Sequence, residues 1–244
     1  MVTYSSIATT PLEHMELFLI RHGQSTNNAL DDWTLRVEDP LLTESGQRQA
    51  ECAALHLAAG LHLHPTARYA ARPVLDRLYC SPMIRAMQTA HAIGKTVGVA
   101  PEVWVDIHEV GGIYLDHGER KIGYPGRTRS ELAQLFPDCV LAPELTDQGW
   151  WNRDFEETHE GHARAANVAR ALRERAAEDA RVGLVSHGDF MSALLRALGG
   201  QPSEAGIYYE HRNTGITCID VTPQGARVRY LNRVDHLPED LDTY

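Results

Sequence analysis

The sequence predicts an α/β protein: a three-layer α/β/α sandwich with a mainly parallel central sheet and a cap insertion over its binding edge. Three observations predict it. Strand-type and helix-type segments alternate along the chain, the pattern that builds parallel sheets. Two strands end abruptly in histidine followed by glycine, at His22-Gly23 and at His187-Gly188. Between about residues 111 and 155 the rhythm breaks into glycines (Gly111, Gly112, Gly118, Gly123, Gly126), prolines (Pro125, Pro137, Pro143) and the pair Trp150-Trp151. Ligands of parallel sheets bind beyond the carboxyl ends of the strands, so both histidines fall on the binding edge.

Each element has its own warrant. Residues 16–20 form a short apolar run that stops at Arg21-His22-Gly23, which reads as a buried strand. A helix follows over 43–60, with Thr43 as N-cap, an imperfect capping box at Gln47, and a stripe of Ala50, Ala53, Ala54, Leu57 and Ala58. Residues 76–80 are a second strand. Ser81 then reads as an N-cap with Pro82 at the first helical position. Residues 103–107 are a third strand, and a short helix near 130–135 lies within the insertion. A long helix over 156–179, a strand over 182–186 and a helix over 191–198 closed by Gly199-Gly200 come next. Strands over 216–221 and 227–231 flank the turn Pro223-Gln224-Gly225. The polar tail from residue 234 is expected to fray, and residues 1–14 read as a short tail before the first strand.

Composition bounds the rest. The 244 residues suit one domain, 1–244, able to bury roughly 70–75% of its unfolded surface without a disulfide or metal staple. With 43% hydrophobic and 23% charged residues the chain is not disordered, collagen-like or a coiled coil. A net charge of −10 argues against nucleic acid or an acidic membrane as partner, yet leaves room for a locally basic pocket and a small anionic substrate. Cys52, Cys80, Cys139 and Cys218 show no CxxC spacing, so a reducing, cytoplasmic setting is the default expectation. Neither a signal peptide nor a run of about 18 apolar residues is seen. His159 and His162 stand three apart on the long helix beside acidic residues, but without HExxH spacing they read as a solvated face, and no metal is expected. His62 and His64 read as surface residues, and Cys80 as packing.

The segment Leu19-Ile20-Arg21-His22-Gly23-Gln24-Ser25-Thr26-Asn27-Asn28 resembles the signature of the histidine phosphatase (phosphoglycerate-mutase-like) superfamily. Four further blocks follow in order. Pro40-Leu41-Leu42-Thr43 with Gly46 and Gln49-Ala50 resembles the family's "PLT..G..QA". Residues 81–90, SPMIRAMQTA, resemble "S.L.RA.QTA". Glu109-Val110-Gly111-Gly112 sits where the family keeps its acidic residue, and Val185-Ser186-His187-Gly188 resembles "VSHG". The resemblance spans roughly residues 16–232.

It implies a metal-independent phosphatase acting on a small phosphomonoester, with no cofactor. His22 is then the nucleophile that becomes phosphohistidine. Arg21 and Arg85 are planar charged forks for the phosphoryl oxygens. His187 donates a further hydrogen bond or charge, and Glu109, with a raised pKa, protonates the leaving oxygen and later deprotonates water. Asn28 is a neutral donor, while Ser25, Thr26 and Gly188 contact substrate. A homodimer is left open. Taken singly, each residue has a plainer reading: His22 as a core histidine, Arg85 as a surface arginine, Ser25 and Thr26 as turn formers. Glu102, Asp106 and Asp116 compete with Glu109, and Asn27 with Asn28. Arg120, Lys121, Arg127 and Arg129 lie in the insertion either as a subsite for a second anionic group or as a solvated loop, and Trp150 and Trp151 anchor the insertion. The glycolytic mutases carry Glu where this chain has Gln24 and Trp where it has Asn27. They also follow the acidic residue with Arg-x-Tyr-Gly instead of Val110-Gly111-Gly112, which favours the phosphatase branch. A mutase and a phospho-ligand binding protein are the alternatives.

Overall fold

The computed structural model describes residues 14–64, 72–202 and 206–244; most of the N-terminal tail expected from the sequence lies outside them. Among the described residues, eight strands and five α-helices follow in the order β1 (Met15–Arg21), α1 (Glu44–Ala58), β2 (Arg77–Cys80), α2 (Ile84–Val97), β3 (Pro101–Val103), β4 (Tyr114–Asp116), β5 (Lys121–Gly123), α3 (Arg129–Leu135), α4 (Thr158–Glu174), β6 (Arg181–Ser186), α5 (Gly188–Leu198), β7 (Ile216–Thr222) and β8 (Gly225–Arg233). The main sheet has the order β3-β2-β6-β1-β7-β8. β3, β2, β6 and β1 run parallel, and β7 and β8 close the far edge antiparallel.

Helices cover both faces. Phe18, Ile20, Leu78, Cys80 and Val185 meet Ala54 and Leu57 of α1 and Ile84, Met87, Ala90 and Ile93 of α2. Leu17, Leu19, Val182, Leu184 and Ile219 meet Ala165, Val168 and Leu172 of α4 and Phe190, Leu194 and Leu198 of α5. Successive residues of β1 therefore serve opposite cores, which explains its unbroken apolar run. The layers expected from the sequence are those observed.

Several boundaries differ. The strand expected over 103–107 ends at Val103, because its partner β2 ends in register at Cys80, and a 3-10 turn follows over Val105–Ile107. α2 starts later than expected: Met83 is its N-cap, and Ser81 Oγ accepts from Met83 N at 3.2 Å ahead of the helix. α5 starts three residues earlier, directly after His187. α4 ends at Glu174, before a short 3-10 turn. His62 is 1% exposed, not on the surface, with its ring against Phe18 at 4.6 Å and Nε2 3.2 Å from Val74 O.

The tail expected to fray is bonded to the domain. Gln49 Nε2 donates to Leu241 O (2.6 Å) and Thr243 Oγ1 (2.8 Å), Asn213 N donates to Thr243 O, and Arg212 pairs with Asp242.

The broken-rhythm segment contains the hairpin β4–β5, helix α3 and the two tryptophans. Thr128 caps α3 in a full capping box with Glu131. Leu132, Phe136, Leu145, Trp150 and Trp151 join the α2-side core. Backbone bonds from Val103 N to Val140 O and from Val140 N to Pro101 O cover the β3 edge. Covering that edge removes unpaired strand groups from solvent.

Candidate active site

Strand register brings the two histidines together. Ile20 pairs with Val185 and Arg21 with Ser186, so His22 and His187 leave adjacent parallel strands side by side. His22 N donates to Ser186 O at 3.0 Å, and the two rings lie 5.0 Å apart. Cys80 pairs with Val185 on the next strand, which sets Ser81 against His187.

The tautomers follow from these partners. His22 Nδ1 lies 2.7 Å from Gly23 O. A carbonyl only accepts, so Nδ1 carries the hydrogen and Nε2 keeps its lone pair. Arg85 Nε donates to that lone pair at 3.1 Å. Burial, then Arg85 and Arg21, hold the His22 pKa well below the ordinary histidine value. At His187, Nε2 lies 2.8 Å from Ser81 Oγ, which already accepts from Met83 N. The hydroxyl hydrogen has no other acceptor among the described residues, so it goes to Nε2, and Nδ1 becomes the donor. That Nδ1 is buried without a hydrogen-bond partner among the described residues. Burial first, then Arg85 and His22, keep this ring neutral as well.

Two arginines face the histidines. Arg21 Nη1 donates to His211 O at 2.6 Å, and its Nε is a second buried donor with no partner among the described residues. Arg85 lies between His22 and the buried carboxylate of Asp39, 3.8 Å from its Nη1. Burial pushes Asp39 up to about 6, against the pull of Arg85 and the Ile84 amide.

Glu109 sits at the start of α5. Its Oε1 accepts from Val110 N and Phe190 N, both at 2.9 Å, and its Oε2 from Asp189 N at 3.3 Å. Burial, then Asp189, raise its pKa against the opposing Arg85 and amides. Oε1 holds two short bonds and Oε2 one long one, so Oε2 is the less committed oxygen. The next turn requires Gly111 and Gly112, whose φ values of 98° and 75° disfavour side chains.

The other motif residues build the loop around His22. Gly23 and Gly46 abut so closely that a Cβ on Gly23 would meet the Gly46 backbone and one on Gly46 that of Gln24. Thr43 caps α1 through Gly46 N, and Gln49 Oε1 accepts from Gln24 N at 2.7 Å. Thr89 Oγ1 accepts from Gly23 N and donates to Arg85 O.

A cavity of about 540 Å³ opens over these groups, lined by Arg21, His22, Ser25, Asn28, Arg85, Glu109 and Gly188 among others. Asn28 Oδ1 accepts from Ser25 N and Oγ, which fixes its amide. Asn27 also reaches the lining, but its side chain is bonded to the Val37 backbone. Thr26 is exposed and does not line the cavity. Neither do Arg120, Lys121, Arg127 and Arg129. Lys121 lies 3.7 Å over the Phe155 ring, Arg127 pairs with Glu131, and Arg129 donates to Ala142 O. From the 111–155 segment only Gly112 and Tyr114 line the cavity; the wall further includes Trp33, Arg36, Glu38, Pro40, Asp189, Tyr208, Glu210 and Tyr244. Sequence reasoning missed this wall, along with Asp39 and the link from Ser81 to His187.

Comparison with known proteins bears on the family and the fold. The family model described as the histidine phosphatase superfamily (branch 1) matches residues 17–234. A 2-carboxy-D-arabinitol-1-phosphatase of Triticum aestivum is 28% identical over 242 residues, 93% of this chain and 41% of that protein. The chain thus spans about two fifths of the length of that relative. Among solved structures, a phosphoserine phosphatase variant of Entamoeba histolytica in complex with phosphoserine superposes with TM-score 0.59 at 19% identity, covering 92% of this chain and 100% of that one. The mycobacterial glucosyl-3-phosphoglycerate phosphatase gives 0.56 at 21% identity, covering 91% and 100%. These likenesses show the fold.

Proposed function

Since the chain belongs to the histidine phosphatase superfamily, we propose that it is a metal-independent phosphatase that hydrolyses a small phosphomonoester through a phosphohistidine on His22. The observation that carries this reading is the state of His22: neutral, Nδ1 tied to Gly23 O, and Nε2 holding its lone pair toward the Arg85 guanidinium.

In the first step Nε2 attacks phosphorus, and the bond from phosphorus to the ester oxygen breaks. Arg85 Nε leaves the lone pair for a phosphoryl oxygen. Arg21 Nε and His187 Nδ1, both buried donors without partners among the described residues, supply further bonds to the phosphoryl group. Glu109 Oε2 gives its proton to the departing oxygen. In the second step the Glu109 carboxylate takes a proton from water, the new oxygen–phosphorus bond forms and the nitrogen–phosphorus bond breaks. The guanidinium groups and the donor histidine meet the charge that a metal supplies elsewhere. Asn28 and Gly188 at the cavity wall are further substrate contacts. Four free thiols suit a cytoplasmic setting.

The phosphatases among the similar proteins support hydrolysis over mutase transfer, as does Gln24, whose Oε1 accepts from Thr43 Oγ1 and so serves the loop. The test is phosphate release from aryl and alkyl phosphates in the presence of a chelator. Turnover that persists with chelator and disappears in His22→Ala is expected. Turnover that survives the substitution, or that requires added metal, overturns the reading.

A further inference from the structure

The segment that carries Glu109 is held from behind, away from the cavity, by a buried ion pair. Arg164 on α4 gives Nε to Glu156 Oε1 at 2.9 Å and Nη2 to Glu156 Oε2 at 2.5 Å, a bidentate fork. Its Nη1 donates to Asp106 O at 2.7 Å and to His108 O at 3.0 Å. The guanidinium lies 4.7 Å over the Phe190 ring, and Phe190 is the residue whose amide bonds Glu109 Oε1. Glu156 closes the other side, with its own amide donating to Gly111 O at 3.1 Å. Its carboxylate is 1% exposed, accepts from Arg153 and lies 3.7 Å from His108 Nε2. The backbone is thus fastened on both sides of Glu109, at Asp106 and His108 before it and at Gly111 after it.

Neither Glu156 nor Arg164 lines the cavity. Burying a charged pair adds little stability for its own sake, because desolvation offsets the attraction. What this pair adds is direction. The stretch after the 3-10 turn at Val105–Ile107 has no helix or sheet ladder to fix it. A guanidinium reaches a carboxylate and two carbonyls at once, whereas an ammonium is a point charge on a flexible stem.

We propose that the Glu156–Arg164 pair positions Glu109, setting its carboxyl at the distance and angle needed to protonate the leaving oxygen. This rests on the hydrolase reading above, with Glu109 as general acid, and adds two positioning residues to it.

A leaving-group comparison separates positioning from general support of the fold. An aryl phosphate such as 4-nitrophenyl phosphate departs without much protonation, whereas an alkyl phosphate such as glycerol 3-phosphate needs the proton. Wild type, Glu109→Gln, Arg164→Lys and Glu156→Gln are each assayed on both substrates, with urea melts to establish folding. Glu109→Gln is expected to lose roughly 100-fold or more in kcat/KM, which reports the transfer to His22, on the alkyl ester and far less on the aryl ester. Arg164→Lys and Glu156→Gln are expected to show the same asymmetry in kcat/KM, about 10- to 100-fold on the alkyl ester and within about threefold on the aryl ester. Equal losses on both esters, no loss on either, or failure of both variants to fold would overturn the proposal by making the pair structural. Asymmetry in Glu109→Gln without asymmetry in the pair variants sinks the positioning role alone. Absence of asymmetry in Glu109→Gln sinks the general-acid assignment together with the inference built on it.

Discussion

Asp39 makes a quantitative prediction that links the fold to the site. Its carboxylate is buried behind Arg85, accepts from Ile84 N, and burial lifts its pKa from 3.8 to about 6. The folded state therefore holds this proton more tightly than the unfolded chain does. Its favourable contribution is fully present below about pH 4, is lost as pH rises through about 6, and is flat above. Two units correspond to about 3 kcal/mol, of which about 2 kcal/mol falls between pH 4.5 and 7. Asp39→Asn keeps an oxygen for Ile84 N and removes the charge. The variant is expected to lack that slope, so its stability relative to wild type rises by about 2 kcal/mol between pH 4.5 and 7. Urea unfolding at the two pH values measures it. Activity is expected to move the other way, because Arg85 loses the anion that orients it toward His22. A stability difference independent of pH would refute the reasoning, since Asp39 would then be an ordinary ionised carboxylate.

Further expectations follow from the same geometry. Glu109 has a raised pKa and must be protonated to act, so kcat for an alkyl phosphate is expected to fall as pH rises through that pKa, with the fall absent in Glu109→Gln; a pH–rate profile reads it. Beyond the phosphoryl end the cavity mouth carries Glu38, Asp189 and Glu210 against Arg36. Glycerol 3-phosphate is therefore expected to exceed 3-phosphoglycerate in kcat/KM by about tenfold at low salt, with the gap narrowing in Glu210→Gln and at high ionic strength. Gln49→Ala strips partners from Gln24 N, Leu241 O and Thr243 Oγ1, and is expected to cost about 2–3 kcal/mol in a urea melt and to raise KM through the loosened Tyr244 wall.

Much of this architecture was legible in the sequence, for identifiable reasons. β1 and β6 each serve two cores, so both appear as unbroken apolar runs, and their shared His-Gly ends mark one edge of the sheet. Gly46, Gln49 and Thr89 stood out as parts of blocks, and the structure gives each a bond or a close approach around His22. Ser81 reads as a cap in the sequence because Ser-Pro usually opens a helix; in the structure its hydroxyl partners His187 instead. The cavity wall was not legible. Trp33, Arg36, Tyr208 and Tyr244 lie in irregular segments far apart in sequence, with no periodicity to mark them, and the polar tail gave no sign that Gln49 would bind it. The basic run at 119–129 stands out by its charge density, yet Lys121, Arg127 and Arg129 are engaged by Phe155, Glu131 and the Ala142 carbonyl, and none of its four cations lines the cavity. Charge density along a chain does not say which way the side chains face.

The most direct test of the central claim is to trap the covalent intermediate. The enzyme is mixed with an excess of phosphomonoester, quenched in alkali within one turnover, digested and analysed by peptide mass spectrometry. The mechanism predicts an acid-labile phosphoryl group on the peptide containing His22, lost in His22→Ala and accumulating in Glu109→Gln when an aryl ester is used. Turnover without any phosphorylated peptide, or a phosphoryl group carried on another residue, would contradict it.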